Sequence, residues 1–292
     1  MEPTSSGQHV LMKDQSKIKK AVRHTTIVVN SRDRNYVSYP DPNHFRYTLR
    51  RPLTNVISIE LMNAVIPSFI YNINTGWNSF NFCESTNSIS LVSLSPGLYT
   101  ESSLCTELQN KLNAIPGKQN TYTVTLNPIT KIIQVISNNI VPFAFLFYSG
   151  IKKDEIDLNT FAILSINTPA RLLGFGLNDY ASSNGKIIAP LPIDIDNFAN
   201  RIYLHLESDG KNLSRMELGS GRQDCFHIFN FVPGASNYFY LDDQTFHSIY
   251  ESMPAPLARV SNLEITLRDE FNRLVDLNHR ELSLTFEITH LE

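Results

Sequence analysis

Leu282-Ser-Leu-Thr-Phe-Glu-Ile288, near the end of the 292-residue chain, alternates apolar and polar residues without a break. A backbone with a two-residue repeat sends neighbouring side chains to opposite faces, so this stretch reads as a strand with one face buried and one wet. Ile202-Tyr-Leu-His-Leu206 repeats the pattern. One-sided burial implies antiparallel pairing. Working outward, short segments of the same kind recur between clusters of Pro, Asn, Gly and Asp, at 25–30, 44–49, 56–66, 80–83, 88–94, 122–126, 132–137, 143–147, 186–189, 201–207, 225–231, 238–241, 262–268 and 281–290. That rhythm predicts an all-β, antiparallel sandwich or barrel. There are more strands than the eight of a minimal jelly roll, so extra strands or a small inserted lobe within 117–160 are expected.

Helix is scarce. Residues 100–114 begin with a plausible N-cap, Thr100, and an early acid, Glu101, then set Leu104, Leu108 and Leu112 four residues apart before Gly117, which spells one amphipathic helix. Thr168-Pro169, followed by Leu172, Leu173 and Gly174, predicts a second, shorter helix with a proline start and a glycine stop.

Composition narrows the function. Hydrophobic residues are 42% and charged residues only 18% of the chain, with 17 Phe and 12 Tyr against one Trp. Such a chain has ample core material and much uncharged polarity, which suits a β protein that hides surface against neighbours. The net charge of -3 argues against general phosphate neutralisation, so no specific nucleic acid is expected.

The charge is unevenly placed. Residues 1–24 carry Lys13, Lys17, Lys19, Lys20 and Arg23 against Glu2 and Asp14, a basic arm on a more acidic body. The arm, read as flexible, is either a tether to an anionic membrane, nucleic acid or an acidic neighbour, or a solubilising tail. The body, 25–292, reads as one domain. No run of about 18 apolar residues is present, and the first residues are polar where a signal peptide would be apolar.

The sequence offers little chemistry. Cys83, Cys105 and Cys225 are odd in number and widely spaced, so neither a disulfide framework nor a zinc knuckle is expected, and reduced, cytoplasmic assembly fits. The eight histidines form no close ligand pair, and His205 and His227 lie inside strands. No nucleophile elbow is present. Asp194 with Asp196, and Asp242 with Asp243, lack further oxygen ligands for a cation. Gly219-Ser-Gly-Arg222 lacks the ending of a phosphate loop. Asn212-Leu-Ser214 is a glycosylation tripeptide of a kind expected by chance. The expectation is therefore a non-enzyme with no catalytic residue, metal or cofactor.

Several blocks resemble a known family. Asn30-Ser-Arg-Asp-Arg-Asn-Tyr36, Tyr39-Pro-Asp-Pro-Asn-His-Phe-Arg-Tyr-Thr-Leu49, Pro52-Leu-Thr-Asn-Val-Ile-Ser-Ile-Glu-Leu61 and Ile66-Pro-Ser-Phe-Ile-Tyr-Asn-Ile73 are similar to the opening of penton and minor capsid proteins of nucleocytoplasmic large DNA viruses. Pro96-Gly-Leu-Tyr-Thr100, Leu172-Leu-Gly-Phe175, Leu263-Glu-Ile-Thr-Leu-Arg-Asp269, Val275-Asp-Leu277 and the opening heptad follow in the family's order. One departure is that Asp269 is followed by Glu-Phe-Asn272 rather than glycine, so a longer closing loop is implied.

The resemblance implies a jelly-roll subunit of a giant-virus capsid, assembled in the host cytoplasm. It would form homopentamers at the five-fold vertices, among major capsid protein trimers and minor capsid proteins, with the arm toward the inner viral membrane. A minor capsid protein cementing the trimers is the alternative within that family. Arg32, Asp33, Arg34, Asn35 and Tyr36 are then candidates for interface contacts, because an Arg-Asp-Arg cluster can form bidentate bridges; an ordinary exposed turn is the other reading. A third reading, a virion surface module binding glycan, would use exposed aromatics on loop tips, with Trp77 and Tyr180 as candidates.

Overall fold

A computed structural model describes residues 21–68, 70–85, 89–149, 168–176, 178–195, 201–217, 224–230, 238–241, 248–252, 255–269 and 272–292. Along the chain the strands are β1 (Val22–Asn30), β2 (His44–Pro67), β3 (Ser79–Glu84) and β4 (Ile89–Ser93), then helix α1 (Glu101–Asn113). There follow β5 (Tyr122–Leu126), β6 (Ile133–Ser137), β7 (Phe143–Leu146), β8 (Asp179–Ala181), β9 (Lys186–Ile188), β10 (Arg201–Ser208) and β11 (Lys211–Asn212). The last are β12 (His227–Asn230), β13 (Tyr238–Leu241), β14 (Ile249–Glu251), β15 (Leu257–Arg268) and β16 (Ser283–Leu291).

All strand pairs are antiparallel, and their order is that of a jelly roll. One sheet runs β1–β16, then the second half of β2, then β13 and β14. The other runs from the first half of β2 through β15 and β10 to β12. Each sheet interleaves strands from both ends of the chain, which is the double Greek key of the fold.

β2 belongs to both sheets. Its residues 44–48 pair with 262–266 of β15, and its residues 56–65 pair with β16. Between the halves the register with β15 slips, from Asn262 opposite Thr48 to Val260 opposite Leu53. Asn55 takes a positive φ of 52° there, which asparagine tolerates better than most residues. The sequence suggested two strands, at 44–49 and 56–66. The structure joins them as one bent strand, because β15 stays paired on both sides of the slip.

The alternating segments bury the expected faces. Leu284 and Phe286 of β16, Leu204 and Leu206 of β10, and Leu263 and Ile265 of β15 all have no exposed surface and meet in one core. Each contributes roughly 1.5–3 kcal/mol by leaving water.

A second core is built from the chain between β2 and β10, from Ile73 to Ile193. That span contains 117–160 and exceeds it on both sides. It holds a sheet ordered β4–β3–β7–β8 and another ordered β5–β6–β9. Phe80, Phe145 and Phe175 pack edge-to-face, with centroids 5.2 and 5.6 Å apart across Phe145. α1 lays Leu104, Leu108 and Leu112 into this core. Thr100 caps it as expected, its hydroxyl accepting from Ser103 N while the Ser103 hydroxyl accepts from Thr100 N.

The second helix expected from Thr168 to Gly174 is a single turn instead. Leu173 N donates to Pro169 O at 3.0 Å, but Gly174 N already reaches Arg171 O at 3.0 Å and Phe175 N reaches Ala170 O at 2.8 Å. Those last two bonds form a Schellman stop around Gly174, whose φ is +81°. The glycine signal was correct, but it comes too soon after the proline for a helix to form.

The arm was expected to extend through residue 24. Residues 22–24 instead begin β1, where Val22 pairs with Leu291 and His24 with Thr289.

Candidate assembly surfaces

The loop between β1 and β2 holds the Arg32–Tyr36 cluster, and one residue organises it. Arg34 is buried, with a side chain only 3% exposed. Its Nη1 donates to Ser31 O at 2.8 Å and to Glu281 Oε2 at 2.7 Å, its Nε to Tyr39 O at 3.0 Å, and its Nη2 to Pro40 O at 3.0 Å. The guanidinium also lies 4.2 Å from the centre of the Tyr36 ring. Ser31 completes the tie, its hydroxyl donating to Glu281 and accepting from Leu282 N. Arg34 was a candidate for contact with a neighbour, but its donors are spent inside the chain, joining this loop to the β15–β16 loop. Burial works against the charge on Glu281, yet the hydrogen bonds from Arg34 and Ser31 outweigh it and hold the carboxyl below the usual range.

The other four candidates face outward. Arg32, Asp33, Asn35 and Tyr36 are exposed, as is Val37, at 94%. Arg32 borders a shallow cleft of about 290 Å³ with Asn30, Val65, Tyr238, Tyr240, Glu281 and Ser283. Register explains this grouping, because Asn30 pairs with Ser283, Ser283 with Val65, and Val65 with Tyr240, one row across four strands. Tyr240 is 65% exposed.

Trp77 and Tyr180 are not free loop-tip aromatics. Trp77 is 6% exposed, and its indole N–H donates to Asn72 O at 3.2 Å. The Arg273 guanidinium stacks 3.6 Å from its ring centre while Arg273 Nε holds Asp269 Oδ2 at 2.7 Å. Trp77 therefore lies at the join between the second core and the closing loop. In that loop Asn272 takes a left-handed φ of +63°, which asparagine tolerates better than most residues. Tyr180 packs on Phe175 at 4.9 Å, and Gly176 N donates to its hydroxyl at 2.9 Å.

Of the arm residues, Arg23 pairs with Glu292 on the β1–β16 ladder. Lys13, Lys17, Lys19 and Lys20 lie outside the described residues, as do Asp196, Asp242, Asp243 and the 219–222 turn.

Among the described residues no group of three His, Cys, Asp or Glu could hold a metal ion. Among the same residues no helix is long and apolar enough to cross a membrane. Burial pushes the thiols of Cys105 and Cys225 up to about 11, which suits packing rather than reactivity. His205 donates from Nδ1 to Asp224 O at 2.9 Å, and burial lowers its pKa. His227 Nδ1 lies 2.8 Å from Ser248 Oγ. Asn212 is exposed, its side chain accepting from Ser214 N at 2.8 Å.

A buried carboxylate that sequence reading missed sits in the second core. Glu84 accepts from Tyr122 Oη at 2.6 Å, from Asn120 N at 2.9 Å and from Gln119 N. Burial opposes its charge, but these donors prevail and its pKa lies below the usual range; Tyr122 is pushed up by burial and by this bond. A carboxyl lowered on folding stabilises the protein above its unfolded pKa, about 4.3 for glutamate. That stability is lost as pH falls through the folded value. Melting temperature should therefore hold above about pH 5 and drop below it. Glu84→Gln should flatten the drop in a series of thermal melts; an unchanged slope would remove Glu84 as a contributor.

Residues 14–161 match the model of a family described as of unknown function, DUF5901. No curated protein matches the chain. Among solved structures, a crystal structure of the selenomethionine-labelled mavirus penton protein is 11% identical, with 92% of this chain and 99% of that chain covered and a TM-score of 0.37. At that score the likeness carries no argument about function.

Proposed function

We propose, on the premise that the chain belongs to DUF5901, a family of unknown function, that it is a structural capsid protein: a penton subunit forming homopentamers at the five-fold vertices of a large DNA virus. In this reading it packs against major capsid protein trimers and minor capsid proteins, and its basic arm faces the inner membrane.

The observation that carries the reading is the row Asn30, Ser283, Val65 and Tyr240 beside Arg32. It puts an exposed tyrosine and an exposed arginine beside Asn30, Val65 and Ser283 on one face of a jelly-roll sheet, where the one carboxylate lining the cleft, Glu281, is already bound to Arg34. Interfaces favour Tyr and Arg and are depleted in Lys, Glu and Asp at their centres. A closed ring needs one such patch and its complement, repeated head to tail.

The blocks that carry the family resemblance fall on defined elements of the fold. The Asn30–Tyr36 block forms the loop clamped by Arg34, the 52–61 block is the part of β2 shared by both sheets, and the two closing blocks are β15 and β16. The glycan-binding alternative loses its free aromatics, because Trp77 is buried and Tyr180, partly exposed, packs on Phe175 with its hydroxyl bonded to Gly176 N.

Native mass spectrometry of the full chain over a concentration series should show five copies assembling. Tyr240→Arg should stop that assembly without lowering the melting temperature, since the side chain is mostly exposed. A wild-type protein that stays monomeric at the highest concentration would refute the pentamer.

A further inference from the structure

β1 and the first half of β2 flank a second opening. A cleft of about 610 Å³ is lined by Thr25, Thr26, Ile27 and Val28 of β1 and by Tyr47, Leu49, Arg50, Arg51 and Leu53 of β2. Ile27 and Leu49 form its apolar floor, at 9% and 7% exposure.

Both walls are open sheet edges. β1 pairs with β16 alone, and residues 44–49 of β2 pair with β15 alone, among the described residues. A strand edge carries a row of unmet N–H and C=O groups, and natural edges are usually blunted by charge, proline or a bulge. β1 has none of these along its middle. Its nine residues contain no proline, its register runs without a slip, and its two charged or titratable side chains, Arg23 and His24, are bound at one end to Glu292 and Glu287.

Charge states what would fit. Arg50 and Arg51 are exposed at the lip of the cleft. Among the described residues neither makes an ion pair, a state they share with Arg32, Arg201 and Arg259. No carboxylate lines the cleft. The chain's own first 24 residues are net basic and do not complement this charge, and the β1 strand of a second copy, VRHTTIVVN, brings no carboxylate.

We propose that this cleft takes an extended, acidic segment of another protein, added as a strand to the edge of β1. Valine-like side chains of that strand would enter the Ile27–Leu49 floor, and alternate carboxylates would meet Arg50 and Arg51 in charge-assisted bonds. The surface is separate from the Tyr240 row, so the proposal holds or fails independently of the pentamer.

The test is fluorescence anisotropy on the full chain. The probe is a fluorescein-labelled peptide of the same length as β1, valine alternating with glutamate or threonine. Three comparison peptides replace its glutamates by lysine, replace alternate residues by proline, or scramble the alternation. The original should bind, and the three others should not.

Arg50→Glu with Arg51→Glu should weaken binding about tenfold, as two lost exposed charge pairs and their reversal would, with self-association unchanged. Binding of the lysine or proline peptide as tight as that of the original would overturn the proposal, as would indifference to the double substitution. Displacement by a ten-nucleotide oligothymidine as effective as that by unlabelled peptide would show a general anion patch and overturn the strand. Absence of any peptide binding would do the same.

Discussion

Arg34→Ala should cost about 3 kcal/mol of unfolding free energy, the lower end for breaking a buried pair from one side. The guanidinium serves three backbone carbonyls and Glu281 at 2.7–3.0 Å. Removing it leaves Glu281, only 20% exposed at its side chain, without its cation, and leaves the Tyr36 turn without its anchor. The pair joins residues separated by 247 positions, so it closes the chain's two ends over the same corner of the sandwich. Arg34→Lys should recover only part of the loss, because one ammonium cannot reproduce a planar fork. Urea unfolding with an unchanged slope and a lowered midpoint is the expected readout. A loss under about 0.5 kcal/mol, the ordinary range for surface substitutions, would mean that solvent replaces the clamp.

Gly174→Ala should be at least as damaging. A methyl group there would sit 2.2 Å from Leu191 O, a backbone atom with no rotamer to escape into, and φ is +81°. Gly174 is also tied to that residue, its carbonyl accepting from Leu191 N at 3.0 Å. Gly117→Ala provides the control, since it shares a positive φ of 72° but meets nothing within 4 Å. The control should lose only the cost of left-handed backbone, roughly 1–2 kcal/mol; Gly174→Ala should lose clearly more, to about 3 kcal/mol or beyond. Equal melting temperatures for the two variants would show that the backbone at Leu191 gives way freely.

Sequence periodicity identified most of the structure, because alternation is a local signal. β5 and β13 have the expected bounds, and α1 has its cap and its leucine stripe where the spacing put them. β8, β11 and β14 were missed, since Asp-Tyr-Ala, Lys-Asn and Ile-Tyr-Glu are short and lack the paired isoleucines that marked the equally short β9. The long β2 was split at Arg50–Asn55 because a register slip resembles a loop in sequence. Strand order was legible only through resemblance, as the pairings join residues more than 200 positions apart.

The candidate surface was half legible. Exposure of Arg32 and Tyr36 follows from a polar turn, but nothing local says that Arg34, two residues on, turns inward to Glu281. Trp77 showed the opposite error. Its Asn-Thr-Gly-Trp-Asn setting reads as an exposed tip, and only the distant Arg273 reveals that it is covered. Tyr240 carried no signal until the row Asn30, Ser283, Val65 and Tyr240 was assembled from four strands.

Where this polypeptide sits in a virus particle is the most direct measurement. Particles containing it, purified and reconstructed with icosahedral symmetry, should show five copies of the β1–β16 jelly roll around each five-fold axis, with the Tyr240 face turned toward the adjacent copy. Density for the chain beneath the trimers and away from the vertices, or particles that lack the chain, would contradict the vertex assignment.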